Sequence, residues 1–151
     1  MGLDNDIAFF EQVPMFAALD REALRILAIG SETKQLQHGA VLFYAGELAD
    51  GGYLVQHGSL QLEPGVHGEG KAIIAGPGTL IGELALLTDT VCQATAIANE
   101  PVTVIRISRS LFLKRLEGYP AAAVMLRNML TKRMDGRQRA RGAMKRQMEQ
   151  H

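Results

Sequence analysis

Cysteine is almost missing from this chain, tryptophan is missing altogether, and aromatic residues make up only 5% of it. The one thiol, Cys92, excludes an intrachain disulfide framework, an iron–sulfur cluster on several thiolates and a cysteine-rich zinc site. Long apolar runs are missing too. Residues 35–46 form one of the longest uncharged stretches, far short of the ~18 apolar residues of a spanning helix. Asp4, Asp6 and Glu11 stand near the N-terminus without a basic segment, unlike a secretory signal, so the expectation is a cytoplasmic protein. A hydrophobic content of 47% with 21% charged residues excludes a disordered chain. Its 151 residues suit one domain with a sizeable core.

There is also no net charge, with 16 basic and 16 acidic residues. The balance hides a division at Tyr119. Residues 1–119 carry 8 basic and 14 acidic residues, whereas residues 120–151 carry 8 basic and 2 acidic. An acidic body thus bears a basic arm. The arm reads as a solvated helix or tail, or as a contact for a second copy, a nucleic acid or an anionic membrane.

What the sequence has in quantity is glycine. Eleven of its 16 glycines fall between positions 39 and 82, among short apolar or alternating runs at 41–44, 53–55, 59–62, 72–75, 94–98 and 102–107. Short strands with glycine-rich turns argue an antiparallel sandwich or barrel. The polar stretch 63–70 reads as a hairpin loop. Helices are expected on both sides. One covers 4–11, before Pro14. A second is capped by Asp20, with Gly30 at its C-cap. A third runs from the cap Ser108 to Glu117, and a fourth covers 120–135. Inside the strand-rich region, Ile81–Leu87 (IGELALL) contains helix formers and predicts one helical turn. The N–H groups at its start would need an acceptor, and an anion is a natural one.

With Gly46, Glu47, Asp50, Tyr53, Gly58 and Gly78 leading to that GELAL segment, the chain resembles a cyclic nucleotide-binding domain of the Crp/FNR superfamily from Phe9 to about Arg133. The resemblance implies an α+β, mainly β fold, an antiparallel eight-stranded β-roll or jelly-roll barrel flanked by N-terminal and C-terminal helices. It implies residues 1–135 as the domain and 136–151 as a basic tail without a DNA-binding domain. It also implies a phosphate-binding cassette formed by Ile81, Gly82, Glu83, Leu84 and Ala85 with Cys92, Gln93, Ala94 and Thr95. In the family, N–H groups at the cassette turn hold the cyclic phosphate, here those of Gly82, Leu84 and Ala85. Gly82 permits close backbone approach, and a helix start adds partial positive charge. The family's cassette glutamate accepts from the ribose hydroxyl, here Glu83. The other reading of Glu83 is a cap for its own turn.

The second half of the cassette departs from the pattern. Gln93, Ala94 and Ala96 fit their places, but Cys92 stands where the family has an arginine whose planar fork pairs with the phosphate. A charge-assisted contact of about 1.5–3 kcal/mol is lost, which corresponds to roughly 10- to 150-fold in affinity. Three readings stay open: weak binding of cAMP or cGMP, aided by Gln93 or Thr95; binding of a less anionic ligand; or a degenerate fold serving as a protein-interaction module. Cys92 reads either as a thiolate activated by the helix start or as a small buried filler.

Other classes fit less well. His38, His57 and His67 show no metal-binding spacing and no nucleophile motif occurs, so neither an enzyme nor a resident cofactor is expected. The 32 residues from Pro120 onward are too few for a helix-turn-helix unit, so specific DNA reading is not expected. Leu126, Leu130 and Met134 form a stripe for a homodimer through the last helix, or for packing on the chain's own barrel. The output would be a shift of the C-terminal helices, passed to a protein partner.

Overall fold

The computed structural model describes residues 2–17, 19–64 and 72–128. The chain opens with α1 (Gly2–Glu11), a 3₁₀ turn at Pro14–Phe16 and α2 (Arg21–Gly30). Then come β1 (Glu32–Leu36), β2 (Val41–Phe43), β3 (Leu48–Ala49), β4 (Gly51–His57), β5 (Leu60–Pro64), β6 (Ile73–Ala75) and β7 (Leu80–Ile81). A 3₁₀ turn at Leu84–Leu86 precedes β8 (Thr90–Val91), β9 (Ala94–Ala98), β10 (Val102–Ser108) and α3 (Arg109–Leu116). A further helix, α4, covers 120–128.

Eight strands form two antiparallel four-stranded sheets, ordered β1-β10-β4-β7 and β2-β9-β5-β6; β3 and β8 make a separate ribbon. The result is the mainly β roll with flanking helices that the sequence leads one to expect. Beyond the expected runs, β1, β3, β7 and β8 also pair. The loop expected at 63–70, His67, the end of the fourth helix and the basic arm lie largely or wholly outside the described residues.

Strand alternation divides the apolar residues between two cores. On β10, Ile105 and Ile107 face the helices, where Phe10, Phe16, Leu27 and Phe112 are fully buried. Phe16 links α1 to α3, with its ring centroid 5.5 Å from those of both Phe10 and Phe112. Val102 and Val104 face the other way, into the roll, with Val55 and Leu60. β4 and β10 cross so closely that a side chain on Gly51 would meet the Ile107 carbonyl, so only glycine fits there.

The expected caps form. Asp20 Oδ1 accepts from Ala23 N at 2.8 Å, and Ser108 Oγ accepts from Leu111 N at 3.2 Å. Gly30 has a different reason from the one expected. Ser31 occupies the C-cap, whereas a Cβ on Gly30 would sit 2.8 Å from Leu111 Cδ2, so the glycine lets α3 approach α2. Leu126 of the proposed dimer stripe is 4% exposed against its own chain. Leu130 and Met134 lie outside the described residues.

Candidate functional site

A cavity of about 530 Å³ opens between the inner face of the roll, the β3–β8 ribbon, the Leu84–Leu86 turn and α4. Two segments separated in sequence meet on its wall. Ile81, Gly82, Glu83, Leu84 and Ala85 line one part; Cys92, Gln93 and Ala94 line another. Thr95 is not brought to the cavity; its Oγ1 accepts from Ala45 N at 3.0 Å.

The turn itself is built by Gly82. Its φ of +85° lies in the left-handed region, and a Cβ there would come within 3.2 Å of the Gly51 carbonyl oxygen. The chain then enters a three-residue 3₁₀ turn. Two expectations change here. So short a turn cannot sum peptide dipoles into a macrodipole, so no helix-end charge helps an anion. The Ala85 N–H is also spent inside the turn, donating to Gly82 O at 3.0 Å. Within the turn the donors are the N–H groups of Ala85, Leu86 and Leu87, not those of Gly82 and Leu84. The Glu83 carboxylate does not cap the turn.

Cys92 is tied into place by its backbone. Its N–H donates to Glu47 O at 2.8 Å, and its carbonyl accepts from Gly46 N at 2.7 Å. Burial pushes the Cys92 thiol up, and the carboxylates of Glu47 and Asp50 push it further. Desolvation and two neighbouring anions all favour the neutral thiol, against the activated-thiolate reading. Among the described residues, the lining holds three carboxylates (Glu47, Asp50 and Glu83) and no lysine, arginine or histidine. The wall also includes Phe43 and Tyr53, whose ring centroids lie 5.6 Å apart.

One residue that sequence reasoning did not single out fastens the site to α3. Arg109, the first residue of that helix, donates from Nη1 to the carbonyls of Thr88 at 3.0 Å, Ala49 at 3.3 Å and, at the limit of a hydrogen bond, Ala85 at 3.5 Å. Its Nη2 donates to Asp89 Oδ1 at 2.6 Å, and its N–H to Asp50 O at 2.7 Å. Arginine after a serine cap is a weak sequence signal, since basic residues near helices are mostly solvated.

Comparisons with known proteins agree with this geometry. The HTH-type transcriptional regulator Cmr of Mycobacterium tuberculosis is 32% identical over 108 residues, covering 71% of this chain and 44% of that protein. The cyclic AMP receptor protein of Thermus thermophilus is 28% identical over 123 residues, covering 80% and 57% respectively. The chain thus spans about half the length of these relatives. The structure of a cyclic nucleotide-binding-like protein from Brucella abortus superposes with a TM-score of 0.68 at 38% identity, covering 76% of this chain and 99% of that one. Residues 33–119, from β1 to the end of the α3 region, match the family described as cyclic nucleotide-binding domain, and the chain belongs to that family.

Proposed function

We propose that this chain is a regulatory sensor that binds cAMP or cGMP weakly. The observation that carries the reading is the meeting of both cassette segments on one cavity wall. Support for a cyclic nucleotide comes from the family match and from the cyclic AMP receptor protein among the relatives. Gly82 and Leu84 N–H would hold the cyclic phosphate, Glu83 the ribose hydroxyl, and the Phe43–Tyr53 wall an apolar part of the ligand. Weakness follows from Cys92: a neutral thiol replaces a cation among carboxylates, with a deficit of roughly 10- to 150-fold.

The output is a shift of the C-terminal helices. Occupancy would move the turn, and Arg109 would carry that movement to α3; the ligand must bind the two arrangements with different affinity. On this reading residues 1–135 are the sensing unit, 136–151 a basic tail for a protein partner, and the chain is non-enzymatic and cytoplasmic. Among the described residues no helix is long and apolar enough to cross a membrane. Calorimetric titration of the 151-residue chain with each nucleotide tests the reading; heat of binding is expected with cAMP or cGMP and not with 5′-AMP, and the absence of heat with both cyclic nucleotides would overturn it.

A second reading, a degenerate interaction module, draws on the ribbon. Leu48 and Val91 stand directly opposite each other there, 86% and 43% exposed. It predicts no titration heat with any nucleotide and capture of a protein through the ribbon.

A further inference from the structure

Among the described residues the cavity lining holds no cation, but the neighbouring strand β10 does. Arg106 lies on β10 in register with Tyr53 of β4, and Tyr53 lines the cavity. Residues directly across an antiparallel ladder share a face, so Arg106 stands on the inner face with Val102 and Val104. Its other cross-strand neighbour is Glu32 of β1. The guanidinium nevertheless engages Asp50: Nη2 lies 2.7 Å from both Oδ1 and Oδ2.

The two side chains are differently placed. The Arg106 side chain is 25% exposed, and that of Asp50 is 71% exposed. Burial opposes the Arg106 cation, but hydrogen bonds to Asp50 and Tyr53 more than compensate and hold its pKa up. Asp50, by contrast, can return to water at little cost, because an ion pair with one solvated partner is weak. Its backbone stays fixed by the Arg109 N–H on its carbonyl. The carboxylate is thus a solvent-accessible anion on a fixed backbone, covering a cation beside a cavity whose described lining holds none.

We propose that Arg106 is the cation through which this cavity holds the anionic group of its ligand, with Asp50 as the internal anion that occupies it until the ligand arrives. The proposal rests on the cyclic nucleotide reading and adds to it the residue that stands in for the cassette arginine replaced by Cys92. The ligand phosphate would exchange for the Asp50 carboxylate on the guanidinium, with no bond made or broken.

The sign of one substitution separates this role from a structural one. If Arg106 only positions Asp50, then Asp50→Asn and Arg106→Gln both weaken binding. If Asp50 competes with the ligand, Asp50→Asn tightens binding by about two- to fivefold, the worth of an ion pair with one solvated partner, while Arg106→Gln weakens it by at least about tenfold, the range of a charge-assisted contact. Arg106→Lys keeps the charge without the fork and falls between the wild type and Arg106→Gln. All are titrated calorimetrically with cAMP and cGMP, in the 151-residue chain and again in a Cys92→Arg background that brings weak binding into range. Thermal melts confirm that each variant is folded. Opposite signs for Asp50→Asn and Arg106→Gln support the proposal. Equal signs, or no change in either, overturn it while leaving the nucleotide reading in place wherever the Cys92→Arg chain binds. Absence of binding in every variant, Cys92→Arg included, overturns both.

Discussion

Replacing Arg109 by glutamine should loosen the site and the protein together. The substitution removes the bonds to the Thr88 and Ala49 carbonyls, the marginal one to Ala85, and the ion pair to Asp89. The guanidinium is mostly buried, with the side chain 23% exposed, so its carbonyl partners lose acceptance that water restores only in part. Two sound carbonyl bonds at about 1 kcal/mol each, with a small surcharge for their charge assistance, give roughly 2–3 kcal/mol. The Asp89 side chain is 93% exposed, so its ion pair adds under about 1 kcal/mol. For a chain of this length that total lowers Tm by roughly 4–16 °C. Urea unfolding gives the free energy, and Asp89→Ala is the control that removes the ion pair alone. The reasoning fails if Asp89→Ala costs as much as Arg109→Gln, or if Arg109→Gln costs less than about 0.5 kcal/mol, the size of an ordinary surface substitution.

Three other outcomes follow from the same geometry. Gly82→Ala forces a side chain into the left-handed region and should cost about 1–2 kcal/mol, read by urea unfolding. Asp20 is held below the usual carboxylate range by the Ala23 N–H first and the Tyr119 hydroxyl second. A depressed folded-state pKa gives stability that is present above about pH 4 and lost as pH falls through the folded value, so Asp20→Asn should flatten the fall of Tm below about pH 4. The Cys92 thiol, raised by burial and then by Glu47 and Asp50, should react with a disulfide reagent at pH 7 far more slowly folded than in urea, and reaction at equal rates would contradict its placement.

Much of this site was legible in the residues because its signals are local. GELAL marks a turn by its own composition, and Asp20 and Ser108 announce helix starts by side chains that cap them. What stayed hidden depends on partners distant in sequence. β1, with the sequence ETKQL, carries little apolar alternation because it is an edge strand with exposed positions. β3, β7 and β8 are two residues long, too short for any periodicity to show. Glycine usually ends helices, so Gly30 suggests a cap, whereas in the fold it makes room for Leu111, 81 residues away along the chain. Arg106 and Arg109 look alike in sequence as basic residues flanking a serine. Only the fold sets one behind the cavity against Asp50 and the other across the Thr88 and Ala49 carbonyls.

The central claim is that a cyclic nucleotide site persists here without its cassette cation. Calorimetric titration of the wild type and Cys92→Arg with cAMP and cGMP tests it most directly. The account predicts weak binding by the wild type and a gain of roughly 10- to 150-fold on restoring the arginine. Submicromolar binding by the wild type, or no gain in Cys92→Arg, would contradict it.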